Sequence, residues 1–288
     1  MSEQPKRITV PAIRDAKGQR KLGMITAYDH PSARIADEAG ADIILVGDSL
    51  AMVVLGHLDT LSVTMEEMLH HTRAAARGTS HALVVGDMPW LSYHLSTAET
   101  VRNAGEFIRA GAQAVKIEGG RPSRIAMVRA ILDAEIPVMG HVGLTPQSVH
   151  AFGGFKVQGR GEEAARRLLE EAIALDEAGC FAIVLECVPS ELAAWITENV
   201  SVPTIGIGAG PGCDGQVLVF HDVLGLYDGH QPKFVRRYAE TGAVIRDAIE
   251  RYLSDVRECR FPNDEGESFH VASPDDLRRL YASIGAAS

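Results

Sequence analysis

Short aliphatic runs recur along this chain and constrain its fold more than any other feature. Eight runs consist mainly of Val, Ile, Leu, Met and Ala, and they are continuous rather than alternating with polar residues. Strands of a parallel sheet that is covered on both faces have this composition. The runs lie at 22–29, 41–49, 81–89, 112–120, 136–144, 181–189, 202–210 and 216–225.

Segments with helical periodicity separate these runs. The clearest is 161–179, in which Leu168, Ala172 and Leu175 follow the spacing of one buried helix face, and Gly179 stands where a helix C-cap is expected. Thr64 is the expected N-cap of one further segment, and either Ser96 or Thr97 is the expected N-cap of another. The other predicted helices lie at 31–39, 65–78, 97–110, 123–133, 189–199 and 233–253.

This alternation predicts an α/β protein with the (β/α)8 TIM barrel fold, whose usual length is about 250 residues. An open, doubly wound sheet is the alternative, but it normally carries a glycine fingerprint after its first strand, and "TAYDHPSA" is not one. We expect a single domain over 1–288. The barrel would occupy about 20–253, and a C-terminal appendage about 254–288, where Pro, Gly and acidic residues interrupt the pattern.

Charge and composition narrow the class of protein. The net charge of −10 comes without any basic cluster, which argues against nucleic acid and membrane surfaces as partners and favours small molecules. The polar N-terminus does not resemble a signal peptide, and no apolar run reaches the ~20 residues that span a bilayer. We therefore expect a cytoplasmic protein.

The four cysteines form no C-x-x-C pair, so neither a zinc site nor a disulfide framework is indicated.

Ionisable side chains gather where the predicted strands end. In a barrel, the carboxyl ends of the strands and the loops after them form the functional face. For Asp29 we favour a helix N-cap, because Pro31 follows at the start of a predicted helix. The strand-end residues are Asp29, Asp48 with Ser49, Asp87, Lys116, Glu118, His141, Glu186, and His221 with Asp222.

Asp48 and Asp87 are harder to explain as caps, because we expect no helix to begin immediately after either. With Glu118 they provide oxygen donors of the kind that a hard cation such as Mg²⁺ prefers. Lys116 and Glu118 are two residues apart on one strand, so both can face the barrel interior. Lys116 could form a Schiff base or supply a fixed positive charge to a substrate carboxylate. The neighbouring carboxylates favour the second role, since they keep the amine protonated.

Other motifs carry less weight. Glu67, His70 and His71 have the spacing of a helical metal motif, but no second motif completes it, so an amphipathic helix is favoured. The glycine-rich segment 206–215 resembles a phosphate cradle, yet no lysine or arginine is near in sequence, which favours a tight loop. Tyr93 could stack a ring or pack at the rim.

Three blocks of the sequence resemble the ketopantoate hydroxymethyltransferase family. They are "LVGDSLAMVVLGHLDTLSVTMEEMLHHTRAAARG", "VMGHVGLTPQSVHAFGGFKVQGR" and "GIGAGPGCDGQVLVFHDVLGL". The similarity runs in the same order from about 20 to about 240. Ala51 and His70 depart from the expected Gly and Tyr, and neither belongs to the strand-end residues. The tail after 255 is not covered.

The resemblance implies a barrel of the phosphoenolpyruvate/pyruvate-binding type and an enzyme of pantothenate biosynthesis. It implies Mg²⁺ dependence, 5,10-methylenetetrahydrofolate as the one-carbon donor and a homo-oligomer, often a decamer. The family's site residues map onto matching positions: Asp48, Asp87 and Glu118 around the metal, Asp48, Ser49, Asp87 and Lys116 on the keto acid, His141 lining the pocket, and Glu186 as proton acceptor.

These roles predict a transfer of a hydroxymethyl group to 3-methyl-2-oxobutanoate, giving 2-dehydropantoate, through a magnesium-stabilised enolate. Glu186 follows an apolar strand, so its pKa should be raised by desolvation. Two alternatives stay open. One is a metal-dependent carbon–carbon lyase or aldolase that acts on 2-oxo acids on the same barrel and needs no folate. The other is a non-catalytic barrel that binds a small acid.

Overall fold

The computed structural model describes residues 7–226, 229 and 231–285, and the chain divides into two compact units, Met1–Ala239 and Glu240–Ser288. The first unit contains a closed barrel of eight parallel strands in the order β1 to β8, with β8 pairing back onto β1. The predicted (β/α)8 fold is therefore confirmed. The strands are β1 (Leu22–Thr26), β2 (Ile43–Val46), β3 (Leu83–Asp87), β4 (Ala114–Lys116), β5 (Val138–Gly143), β6 (Ala182–Glu186), β7 (Thr204–Ile207) and β8 (Gly215–Leu218).

In the part of the chain that the structure describes, helices and one 3-10 turn lie before, between and after the strands. The turn is Pro146–Ser148. The helices are α1 (Val10–Asp15), α2 (His30–Glu38), α3 (Leu50–Val53), α4 (Met65–Gly78), α5 (Thr97–Arg109), α6 (Pro122–Asp133), α7 (Val149–Phe152), α8 (Glu162–Ala178), α9 (Ser190–Asn199), α10 (Phe220–Val223), α11 (Thr241–Arg257) and α12 (Pro274–Gly285). None of the described helices is long and apolar enough to cross a membrane, and a cytoplasmic location stays a prediction.

The predicted helix ends are confirmed at four positions. Asp29 caps α2 and Thr64 caps α4, each within a capping box, and Ser96 caps α5. Gly179 ends α8 in the left-handed conformation, with φ of 102°, which only glycine adopts at little cost. Local sequence chemistry thus determines where these helices begin or end.

Several boundaries differ from the predictions. The fourth strand ends at Lys116, so Glu118 follows the strand instead of lying on it with Lys116. The short helix α3 begins two residues after Asp48, although no side chain caps it. The eighth strand ends at Leu218, so His221 and Asp222 lie in α10 rather than at a strand end. The helix predicted from residue 233 begins at Thr241. Continuous apolar runs locate strands well, but they do not show where a short helix replaces the strand.

Two apolar layers support the barrel. An outer layer packs the helices against the strands, and an inner layer fills the barrel interior with side chains such as Ile43, Val85, Met139 and Val184. Ile13 of α1 is fully buried in the inner layer, so α1 closes the amino-terminal end of the barrel. The interior is a packed core, and the ionisable residues lie at its other end.

The second unit contains α11 and α12. α11 has no buried residue, and Ile245, Ile249, Tyr252 and Val256 are all exposed on it at helical spacing. The Tyr252 ring lies edge-on to Phe261 at 5.5 Å. The predicted start of an appendage near residue 254 falls within α11, and the single-domain description stays a prediction.

Candidate active site

The period-two geometry of the strands places the candidate residues. On β3, Leu83 and Val85 face the interior core, and Asp87 follows two residues later with the same orientation. On β6, Ala182 and Val184 face the core and Glu186 follows. Lys116 and His141 likewise follow the core residues Ala114 and Met139 of β4 and β5. The ionisable side chains therefore form the last layer of the barrel interior at its carboxyl end.

Lys116 lies at the centre of this layer. The register of β3 and β4 places it beside Asp87, and its Nζ lies 2.7 Å from Asp87 Oδ1 with both side chains buried. Burial alone would lower the pKa of Lys116, but Asp87, Glu118 and Asp48 raise it above the ordinary lysine value. Lys116 is therefore a fixed cation, which is the role that the sequence analysis favoured over a Schiff base.

His141 lies between Lys116 and Glu186. Its Nδ1 lies 3.3 Å from Lys116 Nζ, and its Nε2 lies 3.3 Å from Glu186 Oε2. Burial, assisted by the charge of Lys116, holds the pKa of His141 well below its usual value, so the ring is neutral. An ammonium group can only donate, so Nδ1 accepts and Nε2 carries the proton. That buried N–H has no hydrogen-bond partner among the described residues and can donate to a ligand.

Glu186 has the electrostatics of a base that works near neutral pH. Burial raises its pKa to about 7, although Lys116 opposes the shift. Cys187, which follows it, has a positive φ of 48°, a strained conformation for a residue other than glycine. A carboxylate with this pKa gains basicity over an ordinary glutamate.

Asp48 and Ser49 approach the layer from the turn between β2 and α3. The Asp48 N–H donates to Asp87 Oδ2 at 3.2 Å, and Asp48 Oδ2 accepts from Gln147 Nε2 at 2.9 Å. The Ser49 hydroxyl shares a hydrogen bond of 2.9 Å with the Tyr28 hydroxyl. Although α3 begins two residues later, the Asp48 carboxylate accepts a hydrogen bond from Gln147 and does not cap the helix.

Glu118 completes the group of buried carboxylates. Burial raises its pKa well above the usual range, against the effect of Lys116, and burial also raises the pKa of Asp87 to about 7. Glu118 Oε1 has no hydrogen-bond partner among the described residues and lies 3.7 Å from His141 Nδ1. Three buried carboxyl groups thus lie beside one lysine, and a bound cation would favour their ionised forms.

This donor set fits a hard divalent cation. All the candidate donors are oxygens, and a buried carboxylate oxygen without a partner is the group that a cation satisfies. Among the described residues, no three His, Cys, Asp or Glu side chains already converge as a complete metal cage. Mg²⁺ needs no such cage, because it commonly takes one or two carboxylates and completes its shell with water and substrate oxygens.

Six of the seven candidate site residues lie in this layer: Asp48, Asp87, Lys116, Glu118, His141 and Glu186. Ser49 follows Asp48 in the chain, and its described side-chain hydrogen bond is with the Tyr28 hydroxyl. The remaining strand-end residues do not join the lysine-centred layer through any described hydrogen bond or ion pair. Asp29 caps α2, and the His221 ring packs against Tyr28 at 5.5 Å.

Sequence reasoning missed Gln147, and for Tyr93 it considered ring stacking and packing but no hydrogen bond. Both are buried, and the Tyr93 hydroxyl donates to Gln147 Oε1 at 2.5 Å. Gln147 lies in the 3-10 turn after β5, within one of the blocks that carry the family resemblance. The sequence signal that could have identified Gln147 was its position in a loop at the carboxyl end of a predicted barrel strand.

The weaker motifs have structural explanations. Glu67 closes the capping box with Thr64, accepting from the Thr64 N–H at 2.8 Å, which agrees with an amphipathic helix. In the glycine-rich segment, Lys21 reaches the loop from the start of β1, although it is distant in sequence. Its amine is engaged by the carbonyls of Pro211 and Cys213.

Comparison with known proteins gives a consistent result. The family model described as ketopantoate hydroxymethyltransferase matches residues 7–264. The 3-methyl-2-oxobutanoate hydroxymethyltransferase of Syntrophobacter fumaroxidans is 60% identical over 91% of this chain and 93% of its own. The protein of the same name from Carboxydothermus hydrogenoformans is 55% identical over 96% of this chain and 99% of its own.

Solved structures with the same fold are more distant in sequence. A phosphonopyruvate hydrolase superposes with a TM-score of 0.58 at 14% identity, covering 99% of this chain and 97% of its own. A 2,3-dimethylmalate lyase of the PEP mutase/isocitrate lyase superfamily gives 0.56 at 18% identity, covering 96% and 98%. At these identities the likeness establishes the barrel type alone.

Proposed function

Because this chain belongs to the ketopantoate hydroxymethyltransferase family, it is a hydroxymethyltransferase of pantothenate synthesis, and we propose the chemistry by which it works. The proposed donor is 5,10-methylenetetrahydrofolate, the acceptor is 3-methyl-2-oxobutanoate, and the product is 2-dehydropantoate. The reaction would pass through an enolate that bound Mg²⁺ helps to form. The observation that carries this proposal is the buried Lys116 cation beside buried carboxyl groups, with His141 lying between Lys116 and Glu186.

The keto acid is an anion with a carbonyl beside its carboxylate. Lys116 supplies the fixed positive charge, and the Nε2–H of His141 supplies a hydrogen-bond donor. Asp48 and Asp87, with Glu118 near them, are the residues that would hold Mg²⁺. When bound, the ion would withdraw electron density from the 2-oxo group and make the C3 hydrogen more acidic.

Glu186 is the proposed base. It removes the C3 proton onto a carboxylate oxygen, and the electron pair of the broken C–H bond passes into the enolate. The methylene carbon of the folate is bonded to two nitrogens; the first of these bonds breaks as the enolate carbon bonds to the methylene carbon, and the freed nitrogen takes up a proton equivalent to the one removed from C3. Water then displaces the second nitrogen from that carbon: its oxygen becomes the hydroxyl group, its proton passes to the nitrogen, and tetrahydrofolate leaves.

Ser49 and Asp48 are proposed to contact the keto acid from the β2–α3 turn, where the Tyr28 hydroxyl orients the Ser49 hydroxyl. We also propose a homo-oligomer, with a decamer as the expected form, in which other copies of the chain cover the exposed apolar residues of α11. Uncovered apolar strips of this length are typical of interaction surfaces.

A product assay tests the proposal. We expect 2-dehydropantoate only when 5,10-methylenetetrahydrofolate is present, with loss of activity on EDTA treatment and recovery on adding Mg²⁺. Carbon–carbon cleavage of 2-oxo acids without folate would point instead to a lyase. Tight binding of the keto acid without turnover would point to a non-catalytic barrel.

A further inference from the structure

Gln147 is a buried residue that contacts two of the proposed magnesium-site carboxylates. It lies in the turn after β5 and has only 7% of its surface exposed. Its side-chain Nε2 donates to Asp48 Oδ2 at 2.9 Å and to the Met88 carbonyl at 3.0 Å. Its backbone N–H donates to Glu118 Oε2 at 3.1 Å. One residue therefore joins two acidic side chains, from the segments that follow β2 and β4.

Tyr93 determines which way the Gln147 amide faces. The Tyr93 hydroxyl accepts from the Glu118 N–H at 3.2 Å, so its own proton is directed to Gln147 Oε1. A flipped amide would place its oxygen against the Met88 carbonyl and the Asp48 carboxylate, both of which only accept. The hydrogen-bond chemistry thus permits a single orientation.

Tyr93 is itself held in place. Arg124 lies over its ring at 4.4 Å, the Arg124 guanidinium donates to the Tyr93 carbonyl at 2.8 Å, and the His94 ring lies 4.4 Å away. Tyr93 is 1% exposed. The chain of contacts therefore runs from a fixed aromatic side chain, through a fixed amide, to the carboxylates.

We propose that Gln147, oriented by Tyr93, is a positioning residue that holds Asp48 and Glu118 by one oxygen each and so presents their other oxygens to the cation and substrate. The hydrogen bonds use Oδ2 of Asp48 and Oε2 of Glu118. Glu118 Oε1 is left without a hydrogen-bond partner among the described residues. The inference rests on the proposed function, since it assigns a purpose to the cation site named there.

Metal binding in the absence of substrate tests this role. Gln147→Met keeps the length and volume of the side chain but removes the donor to Asp48, and we expect Mn²⁺ to bind at least 10-fold more weakly, as is typical when a ligand loses its supporting hydrogen bond. Tyr93→Phe removes only the hydroxyl and should weaken binding several-fold. Electron paramagnetic resonance of free Mn²⁺ measures both dissociation constants.

A double variant separates positioning from general damage. Because Tyr93 acts on Asp48 through Gln147, the combined loss in Mn²⁺ affinity should be smaller than the product of the two single losses. Gln113→Met is the matched control: Gln113 Oε1 accepts from the Val84 N–H at 2.7 Å at the opposite end of the barrel. It should lower the unfolding midpoint without changing Mn²⁺ affinity.

The outcomes distinguish this inference from the proposed function. If the unsubstituted protein binds Mn²⁺ and Gln147→Met binds it within twofold, the positioning role is overturned while the function stands. If the unsubstituted protein binds no Mn²⁺, both are overturned. Should Gln147→Met fail to fold, Tyr93→Phe decides the matter: several-fold weaker binding supports the role, and affinity within twofold overturns it.

Discussion

At the scale of single residues, the environment of Glu186 makes a prediction about pH. With a pKa raised to about 7, Glu186 is protonated below that pH and ionised above it. Exchange of the C3 hydrogen of 3-methyl-2-oxobutanoate with D₂O requires the ionised form. The exchange rate should therefore rise about tenfold per pH unit below 7 and level off above it, as nuclear magnetic resonance would show.

Glu186→Gln should reduce that exchange by on the order of 100-fold or more, because an amide cannot accept the proton. Mn²⁺ affinity should stay close to the starting value, since Glu186 is not among the proposed metal ligands. Glu191→Gln, at an exposed position on α9, serves as the control. Undiminished exchange in Glu186→Gln would remove this residue from the role of base.

Lys116 allows a second prediction. The carboxylates around it keep the amine protonated, so it should bind the keto acid as a cation and form no Schiff base. Borohydride treatment with the keto acid should leave the protein mass unchanged. Lys116→Met should raise KM for the keto acid by roughly 10- to 100-fold, the value of one charge-assisted hydrogen bond, while Lys233→Met at the surface should not. A mass increase in the unsubstituted protein would contradict this role.

At the scale of elements, α4 tests whether Glu67 serves a helix end or a metal. Thr64→Ala should cost about 1 kcal/mol of stability, because it removes the N-cap acceptor. Glu67→Gln preserves the capping-box pattern and should change stability little. Denaturant unfolding measures the first effect. Mn²⁺ affinity should be unaltered in both variants, and its loss in Glu67→Gln would restore the metal interpretation of this helix.

The elements themselves were largely predictable from sequence. The strands were found because parallel strands buried on both faces must be apolar throughout, and the caps at Asp29, Thr64, Ser96 and Gly179 because their chemistry is local. Short elements were harder to predict from the sequence. α3 follows Asp48 without a capping side chain, so nothing in the local sequence marks its start.

The strand-end residues of the site were predictable from sequence, and Gln147 was not. Asp87 and Glu186 stand out because a charge at the end of an apolar run is costly. Gln147 does not stand out, because its role depends on Asp48 and Glu118, which lie 99 and 29 residues away in sequence. Contacts of that range are properties of the folded barrel and leave no local pattern.

At the scale of the whole molecule, the exposed residues of α11 predict association. Light scattering after size exclusion should give a mass that is a multiple of 31.0 kDa, because Ile245, Ile249 and Tyr252 would otherwise remain in water. Ile249→Lys should shift the distribution towards smaller species. Ser254→Lys provides a comparison outside the apolar residues. A single species of 31.0 kDa for the unsubstituted protein would contradict the proposed oligomer.

The closure of one end of the barrel by α1 limits how reactants can reach and leave the site. Ile13 lies in a filled interior, so the described residues leave no tunnel through the barrel, and reactants would enter and leave at its carboxyl end. A keto acid bound against Lys116, as proposed, would lie beneath the folate. We therefore expect ordered binding, in which the keto acid enters first and its product leaves last.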